Sequence, residues 1–269
     1  MLDLAGPHPL IHWQSLWVII AAFLAGMLNA VAGGGSFLSF PAMLGTGMLP
    51  VHANATNTMA LWSGQVTSIA AYREEIRKHA RLLWPVAIAS VLGAISGAWL
   101  LLHMPQKTFM RQVPWLLLIA ASIFAFSRPI LRWLERRNAA RNSGVHVPRK
   151  PHRVAVFISI FAICIYVGYF GAGGGLVTIT ILTLFGIESL HESNAIKVVS
   201  TTLANGTACI IFAFTRQIEW RYCLLAMAAC AVGGYVSART ARRVPQPMLR
   251  AFIIVLGLSM AAWYFYKTR

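Results

Sequence analysis

A run of three glycines occurs twice in this chain, first as Ala32-Gly33-Gly34-Gly35 and then, 140 residues later, as Ala172-Gly173-Gly174-Gly175. Consecutive glycines weaken a helix by about 1 kcal/mol each relative to alanine, and they let the backbone approach another group closely. The same offset relates Asn54-Ala55 to Asn194-Ala195, Arg81 to Arg221, Gly93 to Gly233, and Pro105-Gln106 to Pro245-Gln246. A constant register that includes Asn, Arg and Pro indicates two homologous halves.

Each half contains five apolar segments. They cover residues 13–32, 36–49, 54–72, 82–103 and 112–131 in the first half, and 154–172, 176–187, 194–214, 221–239 and 249–266 in the second. The second segment of each half is shorter than the roughly 20 residues that a membrane helix needs, which predicts a half-helix or one arm of a re-entrant hairpin. We therefore predict an all-α polytopic membrane protein with eight to ten helical segments. The predicted divisions are a first transmembrane repeat (1–128), a basic cytoplasmic linker (129–153) and a second repeat (154–269).

The composition favours lipid as the surrounding solvent. Hydrophobic residues make up 58% of the 269 residues and charged residues only 11%, whereas a soluble domain usually has about a quarter. The net charge of +16 comes mainly from basic clusters between apolar runs, and the stretches 73–81, 128–153 and 239–250 hold 16 of the 23 Lys and Arg residues. This is the positive-inside pattern of a multi-pass protein, here predicted in a bacterial inner membrane, and it argues against a nucleic-acid partner.

The relative orientation of the halves stays open at this point. Five crossings per half give an inverted repeat, and four crossings give a parallel one, with the same distribution of basic residues. We favour inversion because discontinuous helices paired across an inverted repeat recur in carriers. The four cysteines lie in apolar runs without metal-ligand spacing, so we expect buried apolar residues and predict neither a metal nor a cofactor.

The glycine turns are candidates for an anion site. A short segment follows each turn, and the free N–H groups and positive dipole end of a helix N-terminus attract anions. Tight helix packing is the alternative, since small residues are common where membrane helices touch. The candidate substrate-binding residues here are Gly33, Gly34, Gly35 and Ser36, with Gly173, Gly174 and Gly175 in the second half.

Polar side chains continue into the third segment of each half at helical spacing. They are Asn54, Asn57, Thr58 and Gln65 in the first half, and Asn194, Lys197, Thr201 and Asn205 in the second. Two such stripes at corresponding positions predict a lined path for a substrate, and hydrogen bonding between helices is the alternative.

Lys197 is a formal charge about one turn inside an apolar segment. An ammonium there costs about 2.5–3.5 kcal/mol on insertion scales, so we interpret the residue as functional, either attracting an anion or exchanging a proton. The alternative is a side chain that reaches out to pair with Glu188 or Glu192.

The glycine turns AGGGS and AGGGL, the helix starts NATNTMA and NAIKVVSTTLA, and the two five-segment halves resemble the sulfite exporter TauE/SafE family over nearly the whole chain. The resemblance implies an inner-membrane carrier for sulfite, sulfonates or related small anions. It also implies roles for the glycines above and for Asn54, Thr56, Asn57, Thr58, Asn194, Lys197, Ser200 and Thr201. Asn57 stands where the second half has Lys197, so a symmetric cationic site is not supported.

The predicted function is a secondary transporter of a small anion, with protons as a candidate coupling ion and the lipid bilayer as its surroundings. A uniporter or anion channel is the first alternative. A membrane-embedded enzyme is less favoured because neither HExxH nor GxSxG occurs and no carboxylate pair lies inside a span. A non-transporting scaffold is the remaining alternative. The oligomeric state is not indicated.

Overall fold

The computed structural model describes residues 13–31, 34–71, 76–77, 80–141, 153–184, 190–240 and 246–268. Helices account for the regular structure of these ranges, and no strand occurs in them, which confirms the prediction of an all-α protein. The helices are α1 (Trp13–Val31), α2 (Ser36–Leu44), α3 (Pro50–Ala71), α4 (Ala80–Leu102), α5 (Gln106–Arg141), α6 (Arg153–Tyr169), α7 (Gly174–Leu184), α8 (Leu190–Phe214), α9 (Trp220–Thr240) and α10 (Gln246–Thr268).

The short segments after the glycine turns are short helices. Helix α2 has 9 residues and α7 has 11, against 17 to 36 for the other helices of the described ranges. At about 1.5 Å per residue, neither can cross the roughly 30 Å hydrocarbon core of a bilayer. Helix α5 continues through Pro129 to Arg141, so it extends well into the stretch predicted as a linker.

Each half packs its first helix against the fourth helix of the other half. Helix α1 lies on α9, where the Cys230 Sγ contacts the Ala22 carbonyl at 3.1 Å and the Ser237 hydroxyl donates to the Met27 carbonyl at 3.0 Å. Residue numbers rise together along this contact, so the two helices are parallel. Helix α6 lies on α4 in the same way.

Glycines allow these two contacts. A Cβ at Gly233 would lie 2.0 Å from the Phe23 carbonyl oxygen, and one at Gly97 would lie 2.1 Å from the Ile165 carbonyl oxygen. No side chain fits at such a distance, so backbone packs directly against backbone, as is common where membrane helices touch.

The last helices of the two halves, α5 and α10, pack in the opposite sense. Trp115 stacks edge-on against Phe265 with ring centroids 4.9 Å apart, while Ala121 lies against Gly257. Residue numbers rise along α5 as they fall along α10, so these helices are antiparallel.

Apolar side chains cover the outside of the helical assembly as well as its core. Trp13 and Phe214 are 85% and 86% exposed, and many other large apolar residues are exposed along the same helices. Leu83–Leu102 and Ile196–Phe214 are long and apolar enough to cross a membrane, and shorter apolar helices cover Trp13–Asn29, Val154–Tyr169 and Ala251–Lys267. The four cysteines are buried and free, as predicted.

We predict that Gly233→Ala and Gly97→Ala each destabilise the protein by about 1–3 kcal/mol, because the added methyl group must push two helix backbones apart. Thermal unfolding of the purified protein in detergent measures the effect. Gly64→Ala is the matched control, since nothing lies within 4 Å of a Cβ at this helical position. Equal stability of all three variants would contradict the packing argument.

Candidate functional site

The first glycine turn is buried and needs its glycines. Gly34 has a φ of 86°, a conformation that L side chains rarely adopt. A Cβ at Gly35 would lie 2.4 Å from the Ala25 carbonyl oxygen, so the turn folds back against the middle of α1. Gly33 lies outside the described residues. Ser36 is half-buried and begins α2.

The second glycine turn has a different backbone. Positive φ values fall at Gly171 (81°) and Gly173 (77°), and α7 already begins at Gly174, which corresponds to Gly34. The Tyr166 hydroxyl donates to the Ala172 carbonyl at 2.6 Å and braces this turn. The two turns are therefore related in sequence but not identical in conformation.

Helices α3 and α8 meet through residues at the same position of the two halves. The Trp62 indole N–H donates to the Thr202 carbonyl at 3.0 Å, and the Asn205 amide donates to Gln65 Oε1 at 2.9 Å. Both pairs are separated by 140 residues, the offset of the repeat. The structure thus brings together two of the predicted site residues, Gln65 and Asn205.

Asn54 connects the first half to the second glycine turn. Its Nδ2 donates to the Tyr169 carbonyl at 3.0 Å, whereas its Oδ1 is buried and has no hydrogen-bond partner within the described ranges. Phe40 of α2 packs edge-on against Phe170, with ring centroids 5.4 Å apart. A buried amide oxygen without a partner is costly, and it marks a place where a water or ligand donor would be stabilised.

Three predicted residues use their polar groups inside the protein. The Ser39 hydroxyl donates to Asn57 Oδ1 at 2.5 Å. The hydroxyls of Thr58 and Thr201 donate to the carbonyls of Asn54 and Lys197, four residues back on their own helices, at 2.8 Å and 2.7 Å. A hydroxyl that donates to its own helix has lone pairs left but no proton for an anion.

Lys197 lies against the start of α7. Its Cδ is 3.3 Å and its Cγ 3.6 Å from the position that a Cβ of Gly175 would take, so the aliphatic stem packs on this glycine. The side chain is neither fully buried nor fully exposed. The side chains of Asn194, Glu188 and Glu192 lie outside what the structure describes, so the alternative pairing of Lys197 stays untested.

Sequence reasoning missed several partners of these residues. Tyr169, Phe170, Ser39 and Trp62 carry no polar periodicity that would mark them, although Trp62 and Thr202 do occupy matching positions of the repeat. Near the start of α3, the His52 Nδ1 lies 3.4 Å from Glu219 Oε1, and the Thr56 hydroxyl accepts from the Glu219 backbone N–H at 3.0 Å.

No group of three or more His, Cys, Asp or Glu side chains that could hold a metal ion occurs in the described part of the chain. The polar groups that converge between α3, α8 and the second turn are neutral amides, hydroxyls and backbone groups. Such a set can bind a small polar solute by hydrogen bonds, and the aliphatic stem of the cationic residue Lys197 packs nearby on Gly175.

Comparison with known proteins gives a consistent result. Residues 18–264 match the family model described as "Sulfite exporter TauE/SafE". The chain is 25% identical over 246 residues to a "Probable membrane transporter protein" of Haemophilus influenzae, covering 91% of each chain. It is 25% identical over 255 residues to the "Probable membrane transporter protein YfcA" of Escherichia coli K12, covering 93% of this chain and 89% of the relative.

A third relative, the "Probable membrane transporter protein ORF9" of a Sinorhizobium species, is 24% identical over 250 residues, covering 91% of this chain and 90% of that protein. No solved structure matches the chain. Because the family match extends from α1 to α10, the chain belongs to the sulfite exporter TauE/SafE family of membrane transporters.

Proposed function

We propose that this protein is a secondary transporter that moves a small anion across the inner membrane. The substrate class is sulfite, a sulfonate, or a related sulfur oxyanion or small organic anion, as the name of the family suggests. One observation carries the proposal: the aliphatic stem of Lys197, a residue with a positively charged end, packs on Gly175 in the first turn of α7. An ammonium and the positive end of a helix dipole then act on the same region, and both attract an anion.

A multi-pass arrangement in lipid agrees with the surface of the protein. So many exposed large apolar side chains would raise the free energy of the protein in water. Three exposed tryptophans, Trp13, Trp84 and Trp263, lie near helix ends, where an interfacial aromatic belt is expected. Of the described helices only two pass a strict length and hydropathy criterion, so the remaining crossings are part of the proposal.

We also propose that residues 1–128 and 154–269 form an inverted-topology repeat, joined by the basic stretch 129–153. The antiparallel packing of α5 on its counterpart α10 supports inversion, because a two-fold axis along the helices would make counterparts parallel. The pseudo-two-fold axis of an inverted repeat also relates the two parallel pairs, since it places α1 and α9 on α6 and α4. In carriers of this type the substrate binds between the halves, near discontinuous helices.

In this arrangement the anion lies between the two halves, near the bilayer midplane. We expect the turns around Gly34 and Gly174 to flank it and to offer backbone N–H groups. The Gln65 and Asn205 amides border the same region, where α3 meets α8. A carrier opens this region to one side at a time, whereas a channel or uniporter leaves it continuous.

The inverted repeat predicts that corresponding positions face opposite sides of the membrane. In a variant with its four cysteines replaced, single cysteines at His103 and Arg243 should react with a membrane-impermeant maleimide from opposite faces of oriented vesicles. The cysteine-free parent is the control and should stay unlabelled. Labelling of both positions from the same face would support the parallel alternative.

Gly34→Leu should abolish anion uptake while the protein still inserts, because a side chain at φ 86° is strained and fills the turn. Gly47→Leu is the matched control: Gly47 has a φ of 88°, but nothing lies within 4 Å of its Cβ position. Uptake per folded molecule in liposomes measures both variants. Wild-type uptake by the Gly34→Leu variant would indicate that this glycine contributes to helix packing and not to anion binding.

Lys197→Ala should lose at least tenfold in anion uptake, and Lys197→Arg should keep part of it, because charge is retained while ammonium geometry is not. Lys107→Ala is the control for removal of an exposed positive charge. Thermal stability is measured alongside uptake. If Lys197 serves only to pair with Glu192, Glu192→Gln should destabilise as much as Lys197→Ala, and uptake per folded molecule should not change.

A further inference from the structure

We propose that the substrate of this transporter is a monovalent anion, because Lys197 of the second half adds one formal charge to polar groups that, among the described residues, are neutral. This inference rests on the proposed function and specifies its substrate class further. It follows from comparing two positions of the repeat, 57 and 197, that would be equivalent if the halves were used alike.

In the first half, this position is occupied by a neutral residue that fastens two helices. Asn57 on α3 is 1% exposed, and its Oδ1 accepts a hydrogen bond from Ser39 on α2. The Ser39 hydroxyl also lies 3.2 Å from the Gly35 carbonyl, so this contact ties α3 to the first turn of α2. A lysine at position 57 would remove the Oδ1 acceptor of Asn57 and place an ammonium beside the Ser39 hydroxyl.

In the second half, the partner that would hold an asparagine is missing. Ser39 corresponds to Ile179, which carries no hydroxyl, and Asn57 corresponds to Lys197. Both residues of the pair differ between the halves, so Lys197 cannot form with Ile179 the hydrogen bond that Asn57 forms with Ser39. The Cγ and Cδ atoms of Lys197 pack on Gly175, which corresponds to Gly35 and lies in the first turn of α7.

The rest of the buried polar set is neutral. The described residues of this kind are Ser15, Ser39, Asn54, Thr56, Asn57, Thr58, Ser90, Thr178, Ser193, Ser200, Thr202, Asn205 and Ser237. Several of these hydroxyls already donate to backbone carbonyls or to Asn57, and the amides and hydroxyls that remain can orient an anion but do not cancel its charge. One ammonium balances one negative charge, and a second charge on the ligand would remain uncompensated where the dielectric constant is low.

The test compares two anions of nearly the same shape, methanesulfonate and methylphosphonate, as competitors of the uptake into liposomes of labelled ethanesulfonate, which keeps one charge over this pH range. Methanesulfonate carries one charge throughout, whereas methylphosphonate carries one in mild acid and two in mild alkali. Effects of pH that act equally on the binding of both anions cancel in the ratio of the two inhibition constants. We expect a ratio near one in acid and methylphosphonate at least tenfold weaker in alkali.

Two variants connect this discrimination to the repeat. Asn57→Lys combined with Ser39→Ile copies the second-half pair into the first half, and the added charge should reduce the tenfold discrimination in alkali to less than threefold. Lys197→Arg is the conservative control: it keeps the charge count, so it should retain the wild-type ratio at both pH values even if its uptake falls.

The outcomes distinguish a failure of the inferred substrate charge from a failure of the proposed transport function. Equal competition by both anions in alkali, with uptake intact, would overturn the inference of a monovalent substrate and leave the transport proposal standing. Loss of discrimination in Lys197→Arg would also overturn it. If neither sulfite nor a sulfonate is taken up by the wild-type protein, the proposed function fails, and the inference fails with it.

Discussion

The fold depends on direct backbone contact between helices of different halves. Gly233 against Phe23 and Gly97 against Ile165 bring α1 to α9 and α4 to α6 at distances that exclude any side chain. Each half therefore completes its packing with the first helix of the other, and neither half has a closed helix bundle of its own. The central pair α3 and α8 is held between these contacts, so hydrogen bonds such as Trp62 to Thr202 can form at matching positions. Van der Waals packing of small residues is the main attraction available between helices in lipid, where apolar burial gains little.

The two halves share a common framework but differ at residues of the proposed site. The pair Ser39 and Asn57 is replaced by Ile179 and Lys197, and the second turn carries two positive φ values where Gly34 alone has one among the described residues of the first turn. A site between such halves is lined by similar backbones and by different side chains. For the anion proposed above, one half would supply charge while the other supplies a rigid hydrogen-bonding surface.

Much of this arrangement could be predicted from the sequence. The lengths of the apolar segments predicted the helices, including the short α2 and α7. The 140-residue offset of the repeat placed Gln65 and Asn205 at corresponding positions of the two halves. Partners of single residues could not be predicted, because periodicity identifies the face of a helix but not what lies opposite. Asn54 bonds to the Tyr169 carbonyl, and a backbone acceptor leaves no trace in the sequence. His52 lies beside Glu219, which is 167 residues away in the chain and follows a turn with Arg216 at a φ of 55°. The pairing of Lys197 with Glu188 or Glu192 stays a prediction, because the side chains of both glutamates lie outside the described residues.

Helix α5 is 36 residues long, which at about 1.5 Å per residue gives a rod of about 54 Å. The hydrocarbon core of a bilayer is only about 30 Å thick, so roughly a third or more of this helix has to extend beyond it. The protruding end carries Arg132, Arg136, Arg137 and Arg141. In the membrane arrangement proposed above, basic residues at that end would be attracted to an anionic leaflet by about 1 kcal/mol each. In that arrangement, α5 would fix the depth of the first half in the membrane, and with it the level of α7, which packs against α5.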